Sequence, residues 1–339
     1  MKWLKRTLAV LLLLAAAGAG IAVATALKAP RPVGFQLVRI GDGATGGIPV
    51  GIWYPATGSP RPTTLIGMRL MDVAPDASVE GSRLPLILIS HGNGGGPGSH
   101  ADLAMALAAS GYVVAAPMHT GDNYADQSGL ASPNWLAHRN RDLRLTADYL
   151  LGAWSGHDHI DPGRVGAFGF SAGGTTVLAA IGARPDLRLI PEHCAKAPEF
   201  VCALLRQAKS PLLSPPLQAG AVGPTSQPDQ RIRAAVVAAP GLGFTMAGNA
   251  LAGVKAPVQL WNAADDVNVP YDSNARVVRE GLPQGAEFHL VPRAGHMAFL
   301  VPCGPIGPPA LCKDAEGFDR TFFHAHMNKS VIDFFSRQL

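Results

Sequence analysis

Apolar and polar positions follow two alternating patterns along most of the chain. Residues 86–89 form an uninterrupted apolar run that ends at a glycine-rich stretch, which is typical of a strand buried on both faces of a parallel sheet. Residues 135–154 instead repeat apolar side chains at helical spacing. These two patterns recur, and they predict strands at 86–89, 112–117, 164–170, 233–239, 258–261 and 287–291, with helices at 99–110, 135–154, 172–181 and 319–335. Strands that alternate with helices predict an α/β fold, with a mostly parallel central sheet and helices on both faces.

Two segments near the N-terminus depart from this alternation. Residues 35–54 alternate apolar and polar side chains, which predicts an antiparallel hairpin at the edge of the sheet. Residues 55–83 are rich in Pro, Gly and Ser, so we expect a loop there.

The pattern breaks again at residues 183–231, which include Pro211, Pro215 and Pro216. We interpret this segment as an insertion. It either packs over the ends of the strands and shapes a substrate pocket, or forms a surface loop remote from any site. Neither an internal repeat nor a second domain is evident, so residues 30–339 are expected to form a single domain that carries this insertion.

Residues 1–28 are typical of an export signal. Basic residues precede the apolar run 8–14, and small residues continue through Ala26, which is the order found in secretory signals. Residues 17–19 and 24–26 both have small side chains at cleavage spacing. The alternative is an uncleaved membrane anchor, because an apolar segment of this length can span a bilayer. The protein is therefore expected to be secreted or periplasmic, or anchored with its domain outside the cytoplasm.

The net charge does not indicate a nucleic-acid partner. The formal charge of +4 is accounted for by Lys2, Lys5, Arg6 and Lys28, all in the first segment. The rest of the chain is balanced, which gives no basis for a basic binding surface. We expect contact with a membrane only through the N-terminal segment, and the sequence does not indicate an oligomeric state.

The four cysteines form two local pairs, Cys194 with Cys202 and Cys303 with Cys312. In an oxidising compartment such pairs become disulfides. Pairing across the two loops remains an alternative. Neither pair has the CxxC spacing of a metal site, so no bound metal is expected.

The strongest chemical signal is the hexapeptide at residues 169–174, which fits the pattern G-x-S-x-G around Ser171. It directly follows a predicted strand and opens a predicted helix, which is the context that this motif requires. A strand that turns at once into a helix pushes the serine Oγ out above the sheet, and the helix N-terminus favours negative charge nearby. We therefore predict that Ser171 is a nucleophile.

A serine nucleophile needs a base and an acid, which follow it in the chain in this kind of fold. His296 lies just after the last predicted strand, next to Gly295, and is the candidate base. Asp265 and Asp266 follow the preceding strand. Asp266 is the preferred acid because it stands four residues before Pro270, in the pattern D-x-x-V-P.

Two backbone N–H groups are expected to bind the oxyanion that forms during attack. One is the N–H of Ala172, the residue after the nucleophile. The other belongs to the loop after the first buried strand, where Asn93 is preferred and Gly94 is the alternative. His91, in the same loop, is expected to brace the loop with its ring.

With these motifs, the chain resembles the bacterial α/β-hydrolases described as predicted dienelactone hydrolases, which are related to the platelet-activating-factor acetylhydrolases. The resemblance runs from about Val33 to the C-terminus. It is carried by Arg139-Asn140-Arg141-Asp142, Arg164-Val165-Gly166 before the nucleophile motif, His193-Cys194, Gly317-Phe318-Asp319-Arg320 and Phe323-His324. It implies an α/β-hydrolase fold, a Ser-Asp-His triad and hydrolysis of carboxylic esters.

The sequence differs from these relatives at the nucleophile. Ser171 stands where true dienelactone hydrolases have a cysteine, and Phe170 and Ala172 stand where the acetylhydrolases usually carry His and Phe. We therefore expect a hydrolase that needs no cofactor and acts on a small-molecule carboxylic ester. Alternatives are lactone, polyester or phospholipid-acyl hydrolysis on the same triad, and a non-catalytic envelope protein that binds ligands through a hydrolase-like fold.

Overall fold

The computed structural model describes residues 2–41, 46–64, 69–130, 132–214, 227–304 and 307–339. Pro215 and Pro216, in the predicted insertion, lie outside the described residues.

The centre of the protein is a sheet whose ten strands, among the described residues, are β1 (Val33–Ile40), β2 (Ile48–Pro55), β3 (Arg61–Thr64), β4 (Leu70–Pro75), β5 (Leu84–Ser90), β6 (Val113–Pro117), β7 (Ile160–Phe170), β8 (Ile232–Ala238), β9 (Val258–Ala263) and β10 (Glu287–Val291). Their order across the sheet is β10-β9-β8-β7-β5-β6-β2-β1-β4-β3. Strands β10 to β6 in this order are mutually parallel. Each of these strands except β10 is predominantly buried, which explains the unbroken apolar runs in the sequence.

The N-terminal strands correct two predictions. The hairpin of β1 and β2 does form, but it is not at the sheet edge, because β2 pairs with β6 and β1 pairs with β4. The predicted loop at 55–83 is wrong as well, since β3 and β4 form a second hairpin within it. In β4, Met71 and Val73 are buried and alternate with more exposed residues. This alternation is short, and the Pro- and Gly-rich sequence around it led to the loop prediction.

The helices among the described residues are α1 (Lys2–Ala24), α2 (Ala101–Ala109), α3 (Trp135–Gly152), α4 (Ala172–Ala180), α5 (Ile190–Lys196), α6 (Phe200–Gln207), α7 (Ala275–Gly281), α8 (Pro309–Cys312) and α9 (Arg320–Gln338). They cover both faces of the sheet. Helices α2 and α9 pack in one apolar cluster against one face, and α3, α4 and α7 pack in a second cluster against the other. The predicted mostly parallel sheet with helices on both faces is confirmed.

The described part of the insertion consists of short helices above the sheet rather than an extended loop. Helices α5 and α6 contribute Ile190, Cys194, Cys202 and Leu205 to a third apolar cluster. This cluster also contains Ala172, the first residue of α4. The described part of the insertion therefore packs beside the start of the helix that follows Ser171.

The N-terminal helix α1 lies outside the apolar clusters, and residues 5–24 are long and apolar enough to cross a membrane. The chain joins the domain almost immediately after it. Leu27 pairs with Met71 of β4, and the guanidinium Nε of Arg69 donates to the carbonyl oxygen of Thr25 at 2.8 Å.

Candidate active site

Ser171 lies at the sharp turn between β7 and α4, near the middle of the sheet. Its backbone has φ 55° and ψ −119°, a left-handed conformation that costs a non-glycine residue about 1–3 kcal/mol. The glycines on either side make the turn possible. A Cβ at Gly169 would collide with the carbonyl of Gly173, and one at Gly173 would collide with the carbonyl of Ser90.

The side chains of Ser171, His296 and Asp266 form a chain of hydrogen bonds. The Ser171 Oγ lies 2.9 Å from His296 Nε2, and His296 Nδ1 lies 2.6 Å from Asp266 Oδ2. Because a carboxylate can only accept, Nδ1 carries the proton and Nε2 accepts from the serine. The structure thus brings together three residues that are up to 125 positions apart in the sequence.

Three further contacts fix the orientation of these hydrogen-bonded side chains. Asp266 is buried, and its Oδ1 accepts the N–H groups of Asn268 and Val269 at 3.0 and 2.8 Å. The ring of His296 packs on Phe170, with ring centroids 4.7 Å apart. Asp265 is exposed, so the aspartate on the histidine is Asp266, the one that the sequence favoured.

The N–H groups of Asn93 and Ala172 donate to no acceptor within the described part of the chain, and both residues lie in the wall of a cavity beside Ser171. The N–H of Gly94 is different, because it donates to Asp122 Oδ1 at 3.1 Å. A free N–H next to a nucleophile is what an oxyanion site requires. The N–H of Asn93 is therefore free for an acceptor, whereas the N–H of Gly94 is engaged.

The loop that carries Asn93 is held by a buried ion pair. Asp122 Oδ1 also accepts the Asn93 side-chain amide at 2.7 Å, and its Oδ2 accepts Trp135 Nε1 at 2.7 Å and Arg139 Nη1 at 2.6 Å. The guanidinium of Arg139 is fully buried and donates to the carbonyl of His91 as well. Burial alone would raise the pKa of Asp122, but the charge of Arg139 and these hydrogen bonds lower it strongly, so Asp122 stays ionised.

His91 braces this loop in the expected way. Its Nδ1 donates to the carbonyl of Gly92 at 2.7 Å, and its Nε2 accepts the N–H of His119 at 3.1 Å. The His119 ring contacts Ser90 Oγ at 2.8 Å. Burial lowers the pKa of both histidines well below the ordinary value, so both rings are neutral at pH 7 and stay outside the Ser171 hydrogen-bond chain.

Sequence reasoning missed Asp122. A signal for it existed, since it follows β6 closely and the carboxyl ends of neighbouring parallel strands lie at one edge of a sheet. The motif at residues 139–142, which contains Arg139, pointed only to a family resemblance. Its physical role becomes visible once Arg139 and Asp122 are seen in contact.

Ser171 opens onto two spaces of very different size. A cleft of about 960 Å³ contains Ser171, His296, Asn93 and the glycine-rich loop in its wall. A smaller pocket of about 60 Å³ contains Ser171, Ala172 and Asn93, but not His296. Phe200 of the insertion lies in the walls of both spaces.

Both cysteine pairs are bonded in the structure as the local pairing predicted. Cys194 is joined to Cys202 and Cys303 to Cys312. The first disulfide links α5 to α6 within the insertion. The second closes a loop near the C-terminal side of the cleft, where Leu311 contributes to the wall.

The parallel strands, the helices on both faces and the serine at the β7–α4 turn define an α/β-hydrolase fold. The chain is similar in structure to a ferulic acid esterase from Streptomyces cinnamoneus, with a TM-score of 0.62 and 20% sequence identity over 93% of this chain and 92% of that one. No protein-family profile and no curated protein matches the sequence. At this identity the likeness concerns the fold, and the resemblance to dienelactone hydrolases and acetylhydrolases stays a prediction.

Proposed function

We propose that this protein is a serine carboxylic-ester hydrolase in which Ser171, His296 and Asp266 act as the catalytic triad. The observation that carries the proposal is the hydrogen-bond chain from Ser171 Oγ through the His296 ring to Asp266. It lies at the wall of a large cleft, beside the free N–H groups of Asn93 and Ala172, which line the smaller pocket. These are the parts that acyl transfer needs, namely a nucleophile, a base with an orienting acid, and an oxyanion site.

In the proposed reaction, His296 Nε2 takes the proton of Ser171 Oγ as that oxygen attacks the ester carbonyl carbon. The negative charge that develops on the carbonyl oxygen is stabilised by the N–H groups of Asn93 and Ala172. His296 then gives the proton to the departing alcohol oxygen, and the carbon–oxygen bond to the alcohol breaks. Water attacks the acyl group on Ser171 by the same steps, which releases the acid and restores the serine.

Asp266 has two tasks in this scheme. Its hydrogen bond keeps the proton on Nδ1 of His296, so that Nε2 can act as the base. Its charge also stabilises the imidazolium that forms once the proton has moved. No cofactor takes part in any of these steps.

The proposal is tested by the hydrolysis of p-nitrophenyl acetate by the purified chain and by Ser171→Ala. We expect kcat to fall by about four to six orders of magnitude in the variant, while Ser336→Ala, on the exposed face of α9, keeps the parent rate. Equal rates for Ser171→Ala and the parent would reject the proposal.

A non-catalytic binding protein on this fold is the second candidate class. A fluorophosphonate probe distinguishes it, because the probe labels an activated serine and not an ordinary hydroxyl. Labelling that disappears in Ser171→Ala supports the hydrolase. A folded chain that takes up no label would indicate the binding role.

We further propose that the domain works outside the cytoplasm, as a secreted or periplasmic protein or on an N-terminal anchor. Two disulfides in the described chain and the exposed apolar helix α1 support export, since disulfides persist in oxidising compartments.

A further inference from the structure

The two spaces beside Ser171 differ in whether His296 lies in their wall, and this difference indicates which part of an ester each space binds. His296 lies in the wall of the large cleft and is absent from the wall of the small pocket. In ester cleavage His296 must protonate the oxygen of the departing alcohol, so this oxygen has to lie within hydrogen-bond reach of Nε2. The alcohol part of the ester therefore extends into the cleft that contains His296.

The acyl chain stays on Ser171 after the alcohol has left and has to occupy the other side. We propose that the small pocket, which we call the acyl pocket, binds the acyl chain, while the large cleft binds the alcohol. The enzyme would then prefer esters of a short apolar acid with a bulky alcohol. This inference rests on the proposed function and adds to it the class of substrate.

The size of the acyl pocket limits the acyl chain. The pocket has a volume of only about 60 Å³, so we expect it to take a short acyl chain. The cleft is more than ten times larger by the same measure. A long chain therefore fits on the alcohol side and not on the acyl side.

The walls of the acyl pocket are apolar. Leu187, Ile190, Leu205 and Leu212 of the insertion line it and are buried. Among the described residues, the one charged side chain in the wall is Glu199. Its carboxylate already accepts hydrogen bonds from other side chains.

The carboxylate of Glu199 accepts from three groups. Oε1 contacts His193 Nε2 at 2.9 Å and accepts the Ser273 hydroxyl, and Oε2 accepts the Asn274 amide at 3.0 Å. A substrate group that entered the pocket would therefore meet hydrocarbon rather than an unpaired charge. An unbranched saturated acyl chain matches this surface, and a charged or hydroxylated one would lose its hydration without replacement.

The first disulfide keeps this wall in place. Cys194 in α5 is bonded to Cys202 in α6, and both sulfur atoms belong to the apolar cluster behind the pocket. Leu204 and Leu205 of α6 line the pocket. The disulfide therefore links the helix that forms this wall, α6, covalently to α5. The limit on chain length is thus built into the covalent structure of the insertion.

Two isomeric esters test which side binds which group. Octyl acetate and methyl nonanoate have the same atoms, but the long chain is in the alcohol of the first and in the acid of the second. We expect kcat/KM, measured by titration of the released acid, to be about tenfold or more higher for octyl acetate, because misfitting methylenes cost at least this factor. Equal values, or a preference for methyl nonanoate, would overturn the assignment.

A pair of matched substitutions tests the wall itself. Leu204→Ala enlarges the acyl pocket and should raise the ratio of p-nitrophenyl octanoate to p-nitrophenyl acetate hydrolysis by about tenfold. Leu311→Ala, in the wall of the cleft, should leave this ratio unchanged. If the ratio stays constant in Leu204→Ala, or rises equally in Leu311→Ala, the acyl pocket is assigned wrongly while the proposed function stands. Absence of turnover with every ester, in contrast, would contradict the proposed function itself.

Discussion

At the scale of single residues, Asp122 shows how a side chain that does not touch the nucleophile can determine the site. Its two oxygens accept four hydrogen bonds, two from the loop of Asn93 and two from Trp135 and Arg139. By engaging the N–H of Gly94 and the side chain of Asn93, it leaves the N–H of Asn93 free. In the proposed reaction Asp122 is a positioning residue, because it would act on substrate only through this loop.

Asp122→Asn should therefore affect both stability and turnover. The change leaves the guanidinium of Arg139 buried without its counter-charge, which should lower the free energy of unfolding by about 3 kcal/mol. Loss of the loop geometry should reduce kcat about 100-fold with little change in KM, because the oxyanion forms only in the transition state. Denaturant unfolding and steady-state kinetics measure the two effects.

The control is Asp158→Asn, an exposed aspartate just before β7 that lies outside the walls of both cavities. It should behave like the parent in both measurements. If folded Asp122→Asn has the same kcat as the parent, Asp122 contributes to stability alone.

The residues of the candidate site differ in how well the sequence reveals them. Ser171 stands in a local motif, and His296 and Asp266 each directly follow a predicted strand, so order and context were enough to find them. Asp122 was not found, because its role depends on partners 13 to 29 positions away along the chain. Its position shortly after β6 is a local signal, but that signal does not reveal these partners.

At the scale of elements, burial decides what could be predicted. Strand β5 is buried on both faces, so its unbroken apolar run identified it. Strand β4 depends instead on non-local pairing with β1 and β3, and its polar surroundings gave a loop prediction. The β7–α4 turn was predictable because the close approach of its backbone demands glycine at fixed positions.

Gly173→Ala tests this turn. The new Cβ would collide with the backbone carbonyls of Ser90 and His91, and neither can move without shifting β5. We expect the free energy of unfolding to fall by about 1–3 kcal/mol and ester hydrolysis to fall with the displaced serine. In Gly152→Ala, where a Cβ meets no atom within 4 Å, stability should be unchanged or rise slightly, by about 0.5–1 kcal/mol. Wild-type stability and activity in Gly173→Ala would contradict this account.

At the scale of the whole molecule, buried titratable groups couple stability to pH. Burial lowers the pKa of His100 to about 4, and His91 and His119 are shifted in the same direction. Below the ordinary histidine pKa the unfolded chain therefore binds protons that the folded chain does not bind, and the free energy of unfolding falls as the pH drops.

Asp102 adds to this pH dependence at lower pH. Burial alone would raise the pKa of Asp102, but the charge and hydrogen bond of His324 and the hydrogen bond of Asn328 lower it to about 2. The stability that Asp102 contributes is present above its ordinary pKa of 3.8 and is lost as the pH falls toward 2.

We expect the free energy of unfolding to be constant above about pH 6.5 and to decrease from there to about pH 4. His100→Leu should reduce the slope in this window, because one of the three histidines no longer titrates and about 3 kcal/mol of pH-dependent free energy is removed. His326→Leu, on the exposed side of α9, should keep the full slope. Denaturant titrations at a series of pH values measure this, and an unaltered slope in His100→Leu would contradict the assignment.

The pairing of Leu27 with β4 also sets the length of the tether between α1 and the domain. Helix α1 ends at Ala24, so only two residues separate it from a residue that is hydrogen-bonded to the sheet. If α1 stays in a bilayer, this short connection holds the domain close to the membrane surface. If the chain is cut after Ala26, Leu27 becomes the first residue and Arg69 loses its acceptor on Thr25, but the strand pairing survives and the domain diffuses freely. Cleavage at this position would thus decide whether the domain stays at the membrane or is released from it.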